Sequence, residues 1–81
     1  MKYTITNLTT LERVDCVHNS EAHFLDEVQQ ILEDQWDLEP AKGRVSWAYP
    51  FLRGETVLFR TKNGGAVRVW QNMEGIWVKE I

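Results

Sequence analysis

The chain has 81 residues, of which 43% are hydrophobic and 26% charged, and its formal net charge is −3 at pH 7. This length allows one hydrophobic core and not two, so we expect a single domain over residues 1–81, and the composition excludes the disordered class. The acidic balance argues against non-specific nucleic-acid binding, which depends on clustered Lys and Arg. The sequence has no signal-peptide pattern and no run near the roughly 18 apolar residues of a membrane span. Cys16 is the single cysteine, which excludes an intrachain disulfide, and these features together predict a cytoplasmic protein.

The first half of the chain predicts two strands and one helix. Residues 2–7 alternate polar and apolar side chains, and a second alternation over residues 13–18 predicts an antiparallel partner strand. Asn19-Ser20 is a typical helix cap, and apolar residues then recur at spacings of three and four, which predicts an amphipathic helix from Glu21 to Trp36. We expect Pro40 and Gly43 to end this helix.

The second half predicts four strands. Residues 45–49 alternate Val, Trp and Tyr with small residues, which favours a strand. Segments 56–61 and 66–71 flank Asn63-Gly64, a pair suited to the positive φ angles of a two-residue type I′ hairpin turn, and residues 76–81 form the last strand. The predicted order is ββαββββ. It corresponds to an α+β fold, a mostly antiparallel sheet of about five to six strands with one amphipathic helix packed on one face.

The Asn63-Gly64 turn also predicts a register, which sorts the strand residues between the two faces of the sheet. It places Leu58 opposite Val69 and Phe59 opposite Arg68. One face is then aliphatic and suited to the helix: Leu58, Val67, Val69, Ile76 and Val78. The other face is mainly aromatic and basic: Val57, Phe59, Arg68, Trp70, Trp77 and Lys79.

Charge is segregated along the chain, with eight acids and no Lys or Arg in residues 15–39, then seven bases and three acids in residues 40–81. Helix surfaces normally mix signs and gain ~0.2 to 0.5 kcal/mol per i, i+4 ion pair. The predicted helix instead carries an uncompensated acidic row, the first candidate partner-binding site: Asp26, Glu27, Glu33, Asp34 and Asp37. Such a row resembles the phosphates of a nucleic acid and fits a basic patch on a partner. The plainer alternative is a solvated face balanced by the basic second half.

The second candidate partner-binding site is the aromatic and basic sheet face: Phe59, Arg68, Trp70, Trp77 and Lys79. Large aromatics beside Arg are typical of protein interfaces, those of homodimers included, and of platforms that stack unpaired bases. The plainer alternative is that Trp47, Tyr49 and Phe51, or the N-terminal hairpin, cover this face and make it core. The sequence leaves these alternatives open.

The sequence shows neither a known metal-binding pattern nor a catalytic arrangement of residues. Cys16, His18 and His23 are three residues of metal-binding type, but their spacing matches no zinc pattern, and a buried thiol with two partly exposed imidazoles is the simpler interpretation. His18 is poorly placed to activate Cys16 as a nucleophile, and turn chemistry explains Asn63-Gly64-Gly65 without a phosphate loop. We therefore expect no enzymatic activity, no cofactor and no metal.

These observations predict a non-enzymatic binding module that engages another protein through the acidic helix or the sheet face. Small size, acidity and a one-sign helix are shared with small phage-encoded inhibitors of host defence enzymes, an analogy of type that favours a nucleic-acid-handling partner. The alternative is a nucleic-acid-binding domain that uses the sheet tryptophans with four bases: Arg60, Lys62, Arg68 and Lys79. No membrane partner is expected.

Overall fold

A computed structural model describes residues 2–17 and 20–81. These residues form strands and helices in no repeating order. The elements in chain order are β1 (Lys2–Asn7), β2 (Arg13–Val17), a 3₁₀ turn (Glu21–His23), α1 (Phe24–Trp36), β3 (Glu39–Pro40), α2 (Arg44–Leu52), β4 (Val57–Arg60), β5 (Ala66–Asn72) and β6 (Gly75–Glu80). Ser20 directly precedes the 3₁₀ turn with an extended backbone. The predicted cap residue Asn19, and His18, lie outside the described residues.

These strands form one curled sheet in the order β2-β1-β6-β5-β4-β3. β1 and β6 are parallel, with Ile5 opposite Ile76, and the other neighbouring strands are antiparallel. The predicted α+β class, with a mostly antiparallel sheet of five to six strands, is therefore confirmed. In the part of the chain that the structure describes, no helix is long and apolar enough to cross a membrane, and α1 has only 13 residues.

The hydrophobic core lies between the helices and the inner face of the sheet. α1 contributes Val28 and Leu32, which are fully buried, as their spacing of four predicts. The strands contribute alternate residues to the same core: Ile5, Val57, Phe59, Val67, Val69, Ile76 and Val78. Fully burying a side chain of this kind contributes about 1.5–3 kcal/mol. Because α2 packs into this same cluster through Trp47 and Phe51, both helices cover the inner face and leave the outer face of the sheet open.

α1 ends at Trp36, which confirms the predicted last residue, but Pro40 and Gly43 are not the residues that end it. Asp37 adopts a left-handed conformation with φ of 53°, and its N–H donates to the carbonyl of Glu33 at 2.9 Å. The N–H of Leu38 donates to the carbonyl of Leu32 at 3.2 Å. These bonds satisfy carbonyls that a helix end leaves without partners. Leu38 then enters the core, which turns the chain into β3 before the proline is reached.

The strand predicted at residues 45–49 is instead the helix α2. Trp47 and Phe51, four residues apart, are neighbours on one helical face, and their ring centroids lie 5.3 Å apart in an edge-to-face contact. Trp47 makes a second such contact with Phe59 of β4 at 5.1 Å. Pro50 lies inside the helix, where it lacks the N–H that would bond the carbonyl of Ser46, and the helix ends two residues later. Tertiary packing of the aromatic side chains therefore overrides the strand-like alternation.

The predicted register between β4 and β5 was also wrong, by one residue. Val57 lies opposite Val69 and Phe59 opposite Val67, and residues 61–65 form the connection. A type I′ turn requires positive φ at both central residues, but in the described chain Gly64 has φ of 83° and Asn63 is not among the residues with positive φ. A one-residue shift moves every β4 side chain to the other face. Phe59 is consequently fully buried in the core.

The register between β5 and β6 is confirmed. Trp70 lies opposite Trp77 and Gln71 opposite Ile76, as predicted, and the pairing continues to Asn72 and Gly75. Val69 and Val78 consequently lie on the inner face, as expected for the seat of the helix. The two tryptophans lie on the outer face.

Candidate binding surface

The centre of the outer sheet face is formed by β5 and β6, the two middle strands of the sheet. Trp70 and Trp77 lie directly opposite each other there and are half-buried. The Nε1 of Trp77 donates a hydrogen bond to Oδ1 of Asn72 at 3.0 Å, which fixes the orientation of its ring. Leu58 of β4, 48% exposed, lies opposite Arg68 of β5 on the same face. The two rings and one leucine thus form an apolar centre, and α1 and α2 both pack on the opposite face of the sheet.

Positive charge surrounds this centre. Among the strand residues that the structure describes, the outer face carries five cations (Lys2, Arg13, Arg60, Arg68 and Lys79) and two carboxylates (Asp15 and Glu39). Arg60 is paired with Glu39 at 2.7 Å, and Asp15 accepts a hydrogen bond from the Thr4 hydroxyl at 2.9 Å. None of the other four cations lies within salt-bridge distance of a described carboxylate. The outer face therefore presents uncompensated positive charge.

A shallow depression of about 300 Å³ lies beside Trp77 on this face. Its lining consists of Thr4, Thr6, Arg13, Glu74 and Trp77. Thr6 lies opposite both Arg13 of β2 and Trp77 of β6, which brings the guanidinium and the indole to two sides of one threonine. The depression offers a partner side chain an aromatic wall, two hydroxyls and charged groups of both signs.

The acidic residues of the first candidate site have unequal surroundings. Asp26 pairs with Arg44 of α2, and Asp37 pairs with Lys62 at 3.3 Å. Glu27 is half-buried, and its Oε2 has no hydrogen-bond partner within residues 2–17 and 20–81. Glu33 and Asp34 are exposed without a cation partner in the same residues, although Asp34 accepts a hydrogen bond from Gln30 at 2.8 Å. Two of the five carboxylates are therefore neutralised by the second half of the chain.

Cys16 lies on the inner side of β2, opposite Tyr3 of β1. Burial is the main cause that raises the pKa of the Cys16 thiol above its usual value, although a hydrogen bond with Tyr3 acts in the opposite direction. Burial and the neighbouring Cys16 and Glu27 likewise raise the pKa of the Tyr3 phenol. Both groups stay protonated near neutral pH, so this cluster presents neither a thiolate nor a phenolate. No group of three residues of metal-binding type comes together among the described residues, and His18 lies outside them.

A larger cleft of about 540 Å³ opens at one end of the sheet. It is lined by residues from both helical and strand segments: Lys2, Tyr3, Glu21, Phe24, Leu52, Gln71, Asn72, Met73, Glu74, Gly75 and Ile76. The amide of Gln71 donates to the Phe51 carbonyl at 3.1 Å, and Asn72 Oδ1 accepts from Trp77 and from the Glu74 N–H. The described lining contains neither Cys16 nor His23, and its side-chain amides are already engaged in the fold.

Comparisons of the chain with models of protein families, with curated proteins and with solved structures find no match. The arrangement of its own residues is therefore the basis for a functional proposal.

Four of the five residues predicted for the sheet face do lie together on the outer face: Arg68, Trp70, Trp77 and Lys79. Phe59 does not, because the register shift places it in the core, and Leu58 takes its place. Sequence reasoning also missed Arg13. The pairing of β1 with β6 brings Arg13 near Trp77, and a parallel contact between the first and last strands leaves no local sequence signal.

Proposed function

We propose that the protein is a non-enzymatic binding module whose outer sheet face binds an acidic surface of another protein. The observation that supports this proposal is the open centre of the sheet, where Trp70 and Trp77 lie among cations that form no ion pair with a described carboxylate. Tryptophan and arginine are enriched at the residues that dominate interface energies, and complementary charge speeds encounter with an acidic partner. We place this binding in the cytoplasm, on the ground that the chain has one cysteine and no intrachain disulfide.

Two features favour a protein over a nucleic acid as the partner. Platforms that stack bases need free ring faces, whereas both indoles are half-buried and that of Trp77 is held by Asn72. Leu58 adds aliphatic area, which suits the apolar side chains of a protein.

The sequence predicts the acidic side of α1 as a partner-binding site, but this side contributes less to our proposal than the outer sheet face does. Docking of that helix in place of a nucleic acid, the mode of a phage counter-defence inhibitor, depends on carboxylates that a partner's Arg and Lys can reach. Asp26 and Asp37 are already bound to Arg44 and Lys62, so the row is reduced mainly to Glu33 and Asp34.

A capture experiment with charge-matched variants separates the two surfaces. The wild-type chain, the sheet-face variant Arg68→Glu/Lys79→Glu and the helix variant Glu33→Lys/Asp34→Lys are immobilised, and proteins captured from a lysate of the cells that express the protein are quantified. The two variants shift the net charge of −3 by four in opposite directions, to −7 for the sheet-face variant and to +1 for the helix variant. Lys42→Glu/Arg53→Glu, which replaces two exposed cations outside the strands and also gives −7, is therefore the charge-matched control and should retain the captured protein. We expect the sheet-face variant to lose the captured protein and the helix variant to retain it. Loss only in the helix variant contradicts the proposal.

Titration with a short oligodeoxythymidine tests the nucleic-acid alternative. Binding at the sheet face predicts quenching of Trp70 or Trp77 fluorescence at low salt that is lost steeply as salt is added. Our proposal predicts a flat titration for the wild-type chain. Salt-sensitive quenching that disappears in Trp70→Ala or Trp77→Ala would contradict the proposed protein partner and indicate a nucleic acid instead.

A further inference from the structure

An apolar stripe runs along the exposed flank of α2. Val45, Tyr49 and Leu52 are 79%, 67% and 49% exposed. Their spacing of four and three places them on one side of the helix, separate from the buried Trp47 and Phe51. Leu52 also lines the cleft at the end of the sheet together with Met73, which is fully exposed at the β5–β6 turn. The apolar surface therefore continues beyond the helix.

Helices α1 and α2 differ in this respect. The exposed positions of α1 are polar, namely Asp26, Gln30, Glu33, Asp34 and Gln35, as expected of a helix whose second side faces water. α2 is apolar on its buried side and on the stripe as well. A helix that is apolar on more than one side is normally covered on each of them. None of the residues 2–17 and 20–81 covers the α2 stripe.

We propose that a second copy of the chain covers this stripe, so that α2 packs against α2 of its partner in an antiparallel homodimer. Charge supports this choice of occupant. Arg44, the one charged residue of α2, is paired with Asp26, and Arg53 at its C-terminal cap is paired with Glu55 at 2.7 Å. Two stripes can therefore meet without bringing unpaired arginines of the helices together.

Helix geometry supports the same arrangement. A two-fold axis is the commonest symmetry of soluble homodimers, and an axis perpendicular to the two helices makes them antiparallel. The positive N-terminal end of each helix then lies beside the negative C-terminal end of the other. By contrast, Arg13, Arg68 and Lys79 pair with no described carboxylate, and joining two outer sheet faces would bring these cations of both copies together. The dimer therefore uses α2 and not the sheet.

The small contact sets the expected strength. A nine-residue helix with one neighbouring methionine covers less than the about 800 Å² per partner of a standard interface. We therefore expect a dissociation constant on the order of 100 μM, which makes the equilibrium visible at the concentrations used for sedimentation and NMR.

Sedimentation equilibrium from about 5 μM to about 1 mM tests the proposal. The weight-average mass of the wild-type chain should rise from 9.5 kDa toward twice that value. The variant Val45→Lys/Tyr49→Lys should weaken association by about tenfold or more, because it replaces apolar contacts by like charges across the axis. The control variant Val17→Lys/Leu58→Lys adds the same two charges at exposed apolar positions of the sheet, and it should associate like the wild type.

An NMR dilution series gives a second measurement that needs no variant. Amide signals of Val45, Tyr49 and Leu52 should shift with wild-type concentration, whereas the indole signals of Trp70 and Trp77 should stay constant. A chain that remains at 9.5 kDa up to 1 mM overturns the proposal. So does association that the sheet variant abolishes and the helix variant leaves unchanged.

Discussion

Phe59→Ala tests the register that decides which side chains the outer sheet face presents. Phe59 is fully buried, and its ring contacts Trp47 edge to face at 5.1 Å. Truncating a buried Phe costs about 3–5 kcal/mol through lost burial and the cavity left behind. At 0.05–0.15 kcal/mol per residue, an 81-residue chain has a total stability of about 4–12 kcal/mol, so this substitution removes a large part of it. Leu58→Ala, at the neighbouring position that is 48% exposed, should cost no more than about 1 kcal/mol.

Urea unfolding followed by far-UV circular dichroism measures both costs. The unfolding midpoint of Phe59→Ala should fall by roughly 2 M or more, given a slope of about 1–1.5 kcal/mol per molar urea for a small chain. If this variant is unfolded without urea, Phe59→Leu keeps the burial and loses mainly the ring contact, worth about 0.5–1.5 kcal/mol. The opposite ranking, with Leu58→Ala the more costly change, would refute the register and restore Phe59 to the outer face.

Two further predictions concern the backbone and pH. Gly75 has φ of 148°, and a Cβ there would lie 2.7 Å from the carbonyl oxygen of Thr4. Gly75→Ala should therefore destabilise the fold by clearly more than Gly54→Ala, whose added Cβ has no atom within 4 Å and which costs about 1–2 kcal/mol for its positive φ alone. Equal costs in urea unfolding would contradict the close packing of β6 on β1. Because the folded state raises the pKa values of the Cys16 thiol and the Tyr3 phenol, it holds their protons more tightly than the unfolded chain, and stability should fall as pH rises above the ordinary thiol value of 9.0. Tyr3→Phe/Cys16→Ala should flatten that decline, and a decline of the same slope in this variant would show that other groups cause it.

The sequence correctly predicted those elements whose local pattern fits only one type of secondary structure or one register. α1 has a helical spacing that no strand shares, and β5 and β6 are joined by a turn so short that it leaves one register, with Trp70 opposite Trp77. The prediction of a strand at residues 45–49 was wrong because two spacings overlap there. Trp47, Ala48 and Phe51 have a helical spacing, whereas Val45, Trp47 and Tyr49 have that of a strand. Packing of Trp47 between Phe51 and Phe59 favours the helix over the strand. Because Phe59 is distant from Trp47 in the sequence, the local pattern does not show this contact.

The prediction of a two-residue turn at Asn63-Gly64 was wrong for a different physical reason. The pair suits a type I′ turn, but Thr61 closes a longer loop, since its N–H donates to the Gly65 carbonyl at 2.9 Å and its hydroxyl accepts from the Gly65 N–H at 3.0 Å. A short motif shows that a chain can turn, whereas the number of residues in the loop depends on such flanking bonds. For the candidate site this meant that Trp70, Trp77, Arg68 and Lys79 were predictable from one hairpin, and Leu58 was not.

The two proposed surfaces can act together because they belong to opposite layers of the fold. α2 covers the inner face of the sheet, while the tryptophans lie on the outer face, so dimerisation through the α2 stripe leaves both outer faces open. A dimer would then present two copies of the same basic and aromatic surface. A partner that repeats its acidic surface within reach of both gains avidity of 10²–10⁴ over one contact. Weak association through a nine-residue helix is therefore enough to affect function, provided that the partner itself brings two chains together.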